Sequence, residues 1–98
     1  MNTARHADSC LEAFGRSYAE VHEFLDQYSH RFPRAHRQVY HHRQGLSLVA
    51  ERFGPEAVWA TERHIIEDMG FIPAGHTFYA TDNQELLDLV KSTYEPGR

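Results

Sequence analysis

The run from Arg34 to Phe53, RAHRQVYHHRQGLSLVAERF, constrains the fold more than any other stretch, because it holds one apolar period across its whole length. Advancing about 100° per residue from Val39, the positions His36, Val39, His42, Leu46, Val49, Ala50 and Phe53 share one stripe about 140° wide. A stripe of that kind has to be buried against other helices, so the period predicts an all-α bundle. It also carries His36 and His42 inward with the aliphatic side chains, whereas His41 is expected on the opposite side, toward solvent or a partner. Gly45 sits inside the predicted helix, where glycine costs about 1 kcal/mol against alanine. Its presence suggests a close approach or a bend.

Breakers divide the remainder into further helices. Thr3 to Phe14 reads as a short first helix, with Thr3 as its cap, Ala7, Cys10, Leu11 and Phe14 at helical spacing, and Gly15 to end it. His6 and Cys10 are four apart on it and could share a face. Ser17 and Glu20 have the spacing of a capping box, and the apolar period continues through Tyr18, Val21, Phe24, Leu25, Tyr28 and Phe32 to Pro33. Gly54-Pro55 opens a helix from Glu56 to Met69, closed by Gly70, with Val58, Thr61, Ile65 and Met69 as its buried stripe. FIPAGHTFYA, residues 71–80, has no helical period and is expected to be a loop whose aromatics cover the bundle end. Thr81 or Asp82 then caps a last helix to about Tyr94. The expectation is a single domain over residues 1–98, built as a bundle of four to five helices with a loose tail from about residue 95.

Composition narrows the function. The chain has 98 residues, a formal charge of -4 and eight histidines, so it lacks the basic footprint of a phosphate-backbone binder and nucleic acid is not an expected partner. Cys10 is the single cysteine, which excludes a thiolate zinc cluster and an intrachain disulfide. No apolar run reaches the roughly 20 residues of a membrane span, and MNTARHADSC has no apolar signal core. The reading is a soluble cytoplasmic protein with no organic cofactor, since nucleophile-elbow, phosphate-loop and dinucleotide patterns are all missing.

The histidines carry the chemical lead. His22 and Asp26 lie one helical turn apart, and His64 and Asp68 repeat that spacing on a second helix. Imidazole nitrogen and carboxylate oxygen together suit Zn, Fe, Mn, Ni or Co. The candidate metal ligands are His22, Asp26, His36, His42, His64 and Asp68, with His41 and Glu62 as residues that orient them from behind. The competing reading of the same residues is structural: buried imidazoles satisfied by carbonyls or carboxylates, and i,i+4 ion pairs worth a few tenths of a kcal/mol.

Several of these residues also resemble a known pattern. His22 through Asp26, AHR at 35–37, HH at 41 and 42, Gly45, and ERHIIEDMGFIP at 62–73 are similar to a small uncharacterised bacterial and phage family of histidine-rich helical domains. That family has an R-H-R-x4-H-H-x2-G core and a later E-x-H-x3-D-x-G-x-I-P segment. Ala35 stands where the family pattern has its first arginine, and the connection from Phe53 to Glu62 is shorter here. The resemblance implies that His22, Asp26, His36, His41, His42, His64 and Asp68 form one site, and it supplies no reaction. A looser analogy runs to the HD-type metal phosphohydrolases, although this chain has HH where an HD would stand. Three functional expectations follow: a transition-metal-binding helical domain hydrolysing a small phosphoester; a non-enzymatic interaction module with structural histidines and Trp59, Phe78 and Tyr79 at a homodimer or partner surface; and a nucleic-acid or phage-assembly adaptor, which the acidic balance disfavours.

Overall fold

A computed structural model describes residues 2–95, and the expected loose tail beyond Glu95 lies outside the described residues. Six α-helices and one 3₁₀ turn follow in order: α1 Thr3–Phe14, α2 Ala19–Leu25, α3 Arg37–Tyr40, α4 Arg43–Phe53, α5 Ala57–Met69, the 3₁₀ turn His76–Phe78, and α6 Gln84–Tyr94. No strand occurs among the described residues, in agreement with the all-α expectation. The helix count exceeds the four to five expected, because the long central helix is two helices.

That break has a local cause. His42 adopts an extended conformation and its Nδ1 accepts the backbone N–H of Gly45, at 3.1 Å, so it caps α4. An imidazole nitrogen here does the work usually given to a serine or aspartate oxygen. The kink turns His41 by far more than a continuous helix allows, and the residue expected to face outward is fully buried. Gly45 is the enabling residue: a Cβ there would overlap the carbonyl group and Cα of Tyr40. The Tyr79 hydroxyl donates to the His41 carbonyl at 2.6 Å, and the Arg43 N–H donates to the Pro73 carbonyl at 3.0 Å, so the 71–80 loop braces the break.

The second expected helix is also shorter. Ser17 does not cap it; Tyr18 enters α2 at φ 54, a left-handed conformation uncommon for a bulky residue, and Arg16 lies over its ring at 4.5 Å. After Leu25 the chain continues as a series of turns to His36, which keeps the three-and-four spacing of Tyr28 and Phe32 without a continuous helix. Asn2, not Thr3, caps α1 by accepting from the Arg5 N–H, and Asn83 caps α6 by accepting from the Leu86 N–H while Thr81 accepts from Asn83. Gly15 and Gly70 end α1 and α5 in left-handed conformations, as their positions predict.

In the packing, α5 lies against α1, α2 and α4, while α3 meets α4, α6 and the 3₁₀ turn. Val21, Leu25, Val39, Val49, Ala60, Leu86 and Val90 form the apolar core, each large aliphatic contributing about 1.5–3 kcal/mol by burial. The radius of gyration, 13.0 Å, matches the roughly 13 Å of a folded chain of 100 residues. No helix among the described residues is long and apolar enough to cross a membrane.

Candidate metal centre

Five imidazoles and two aspartates converge between α1, α2, α5 and the break after α3. His6, His22, His41 and His64 are fully buried and His36 is 7% exposed. Asp68 comes from the last turn of α5 and Asp26 from the residue that ends α2. The duplicated His-x3-Asp spacing therefore does bring its four residues together, with His22 Nδ1 2.8 Å from His64 Nδ1.

The hydrogen-bond chain through the pair fixes the tautomers. His22 Nε2 lies 3.0 Å from the Ser17 carbonyl, which can only accept, so this nitrogen carries a proton. Burial, then the neighbouring His64 and His6, lowers the His22 pKa to about 4, so its ring is neutral and Nδ1 is an acceptor. His64 Nδ1 must therefore donate. Its other nitrogen, Nε2, faces Asp26 Oδ1 at 3.1 Å and Asp68 Oδ2 at 3.4 Å. A bare lone pair between two carboxylates is repulsive; either a proton or a cation has to sit there. Burial alone would lower the pKa of His64, but Asp26 and Asp68 outweigh it and raise it.

His41 faces the same point. Its Nε2 lies 3.1 Å from Asp68 Oδ2 and 3.5 Å from Asp26 Oδ1, while its Nδ1 is buried with no hydrogen-bond partner. Burial lowers its pKa to about 4 against the hydrogen bond to Asp68. Leaving a buried polar nitrogen unpaired costs about 1–3 kcal/mol, so the ring is held in place by what its other nitrogen does. Burial acts to raise both aspartates. Hydrogen bonds from His36 and His64 to Asp26, and from His41, His6 and His64 to Asp68, nevertheless hold both carboxyls well below the usual carboxylate range.

One ligand atom each from Asp26, His41, His64 and Asp68 lie within 4.8 Å of one another. The four nitrogen–oxygen separations span 3.1–3.5 Å, and a tetrahedron of ligands about 2.0 Å from a central ion has edges of about 3.3 Å. Four of the six edges are thus close to that length, and the two nitrogens and two oxygens form a set that could hold a transition metal ion.

The other expected site residues fall into three places. His36 stands at the rim: its Nδ1 donates toward the carbonyls of Phe32 and Pro33, and its Nε2 is 3.3 Å from Asp26 Oδ1. His22 stands behind His64. His42 lies outside the cluster, with Nε2 donating to the Gln38 carbonyl at 2.8 Å and Nδ1 spent on the α4 cap; a straight helix would have sent it inward in place of His41. Glu62 lines a hollow together with Phe14, Trp59, Ile66 and Glu67, and of these two carboxylates it is Glu67 that reaches His6.

Sequence reasoning passed over His6 and Glu67. His6 Nδ1 lies 3.1 Å from Glu67 Oε1 and its Nε2 3.1 Å from Asp68 Oδ1, and its ring stacks on His64 at 3.6 Å. Ser9 and Arg63 complete the support by bonding Glu67 and each other. The shared helix face of His6 and Cys10 was the available signal, and both are buried; Cys10 itself packs in the apolar core with a raised pKa from burial and the nearby Glu67.

Comparison with known proteins places this geometry in a family. A family model described as a domain of unknown function, DUF6915, matches residues 1–86. The chain belongs to the DUF6915 family. No curated protein and no solved structure matches it. The matched span of the DUF6915 domain holds every residue of the cluster, from His6 to Asp68.

Proposed function

We propose that this DUF6915 chain binds one transition metal ion through His41, His64, Asp26 and Asp68, and that it is a metal-dependent hydrolase of a small phosphoester. The observation that carries the metal reading is the meeting of the His41 and His64 Nε2 atoms with two carboxylates at nitrogen–oxygen separations of 3.1–3.5 Å, with the His64 lone pair forced there by His22. With four protein ligands in place, a water molecule or phosphoryl oxygen would join the ion as a fifth ligand, where the ion would polarise the phosphoryl oxygen and lower the pKa of the water. The protein's part is to hold the set in place: Ser17 and His22 orient His64, while His6 and Glu67 anchor Asp68. Two carboxylates against a divalent ion leave the centre neutral and able to accept a further anionic ligand.

The hydrolytic reading is supported by access. Asp26 and Asp68 line a hollow of about 250 Å³ open to the outside, so the carboxylate side of the centre is not sealed as in a structural site. The test is elemental analysis of protein purified without a histidine tag, beside a His41→Ala, His64→Ala double variant checked for helicity. Stoichiometric metal that the double variant loses is expected; metal-free wild-type protein that also takes up none of Zn, Fe, Mn, Ni or Co on addition refutes the centre. Turnover of chromogenic phosphomonoesters and phosphodiesters by the loaded protein, abolished in the double variant, tests the chemistry.

A second reading rests on a different surface. Leu11, Phe14, Trp59 and Ile66 are 42–60% exposed, and Phe14 and Trp59 face one another at 6.4 Å. Such a patch suits a homodimer or partner face in a non-enzymatic module. Light scattering at increasing concentration, with Trp59→Ala as control, checks it. Phe78 is likewise exposed, whereas Tyr79 is tied to His41.

A further inference from the structure

We propose that the hollow beside the centre is a binding site for a small phosphate-class oxyanion, with Arg37 as its principal anchor. This rests on the metal reading above and names what the open side of that centre would take.

The hollow is lined by Thr3, Ser29, His36 and Arg37, with Asp26 and Asp68 at its buried end. Arg37 has a guanidinium that the fold brings inward without using fully. Its Nε is buried with no partner, its Nη1 reaches the Met69 sulfur at 3.8 Å, and its Nη2 stands 3.8 Å from Asp68 Oδ1. A planar fork of five donors normally spends them on carboxylate or phosphate oxygens at about 2.7–2.9 Å. Here the nearest carboxylate draws the group toward the centre but does not close on it.

The other donors come from different directions. Ser29, in the turn after α2, lines the hollow and carries a hydroxyl donor. Asn2, at the start of α1, lines the same hollow and spends its amide oxygen on the Arg5 N–H, so its NH₂ is the group left to donate. Donor-bearing side chains from three segments around one hollow suit a tetrahedral oxyanion better than a flat carboxylate, whose oxygens lie in one plane. The volume, about 250 Å³, falls below the roughly 300–1,000 Å³ of pockets for drug-sized ligands, so the occupant is small or enters by one end.

Charge makes the two ligands cooperative. Without the ion, Asp26 and Asp68 face the hollow as anions and repel a phosphate. A divalent cation cancels them, and Arg37 then leaves the hollow with a net positive charge. Phosphate is expected to bind the loaded protein and not the chelated one.

The experiment titrates inorganic phosphate, sulfate and acetate into protein carrying one equivalent of zinc and no excess ion, by calorimetry and by thermal shift. Wild-type protein is expected to bind phosphate and sulfate with at least tenfold preference over acetate, and Arg37→Gln to weaken phosphate at least tenfold while zinc stoichiometry stays at one. Ser29→Ala, which perturbs no ion pair, is expected to weaken phosphate several-fold and guards against misfolding of the arginine variant. Zinc uptake without phosphate binding, or phosphate binding unchanged in both variants, overturns this site and leaves the metal reading standing. Absence of zinc uptake overturns both, and the elemental analysis tells the two failures apart.

Discussion

The relay from Ser17 through His22 to His64 gives the sharpest test of the tautomer argument. In His22→Leu the aliphatic side chain still fills a fully buried position, but His64 Nδ1–H loses its acceptor at 2.8 Å. An unsatisfied donor of that kind costs about 1–3 kcal/mol; the Ser17 carbonyl is partly exposed and can turn to water, so it adds little. To escape, His64 can move its proton from Nδ1 to Nε2, the nitrogen the ion needs. Removing such a supporting partner weakens metal binding by about 10–100-fold, or about 1.4–2.7 kcal/mol. His22→Gln is the discriminating companion, because its amide oxygen can accept from His64 while its NH₂ donates to Ser17. Competition against a chromophoric zinc chelator at pH 7.5 should rank affinity wild type, then Gln within several-fold, then Leu. Urea unfolding in EDTA separates folding from binding. Equal zinc affinity in wild type and His22→Leu, or a Gln variant as weak as Leu, refutes the reasoning.

Other consequences are equally concrete. His42→Ala should keep one equivalent of zinc while losing about 0.5–2 kcal/mol of stability with its cap; loss of the metal would put His42 back among the ligands. Gly45→Ala should cost about 3 kcal/mol or more by overpacking against the Tyr40 backbone, and a urea midpoint within error of wild type would show that the break is misplaced. Stability in EDTA should fall as pH drops from about 6.5 toward 4, because His22, His41 and His42 titrate near 4 when folded and near 6.5 when unfolded, so the unfolded chain takes up protons first. His64 acts in the opposite sense, its contribution being complete below its unfolded pKa and lost as pH rises through the raised one, but it is one ring against three. Below about pH 4, protonation of Asp26 and Asp68 in the unfolded chain deepens the loss. A urea midpoint at pH 4.5 equal to or above that at pH 7 contradicts neutral buried rings.

The sequence made some of this visible through regular geometry. His22 with Asp26 and His64 with Asp68 stood out because a one-turn spacing puts both side chains on one face, and that relation survives even though Asp26 sits just past the end of α2. The ends marked by Gly15 and Gly70 were legible because a left-handed residue there has one favoured identity. The exchange of roles between His41 and His42 was not legible. Gly45 signalled a close approach or a bend without placing it, no glycine or proline stands between Tyr40 and Arg43, the residue that caps α4 is a histidine, and the close approach of Gly45 to the Tyr40 backbone exists only once the chain has folded. His6 escaped for a different reason: its partners Glu67 and Asp68 are 61 and 62 residues away, and no local period reports a contact of that range.

Those separations bear on how the molecule comes into being. The relay pair is 42 residues apart and the Asp26–His64 contact spans 38, so a nascent chain shorter than α5 has no centre to load. Filling it would fasten Asp26 to His64 and Asp68 across some forty residues, and zinc uptake measured during synthesis or refolding would then time the closing of that long circuit.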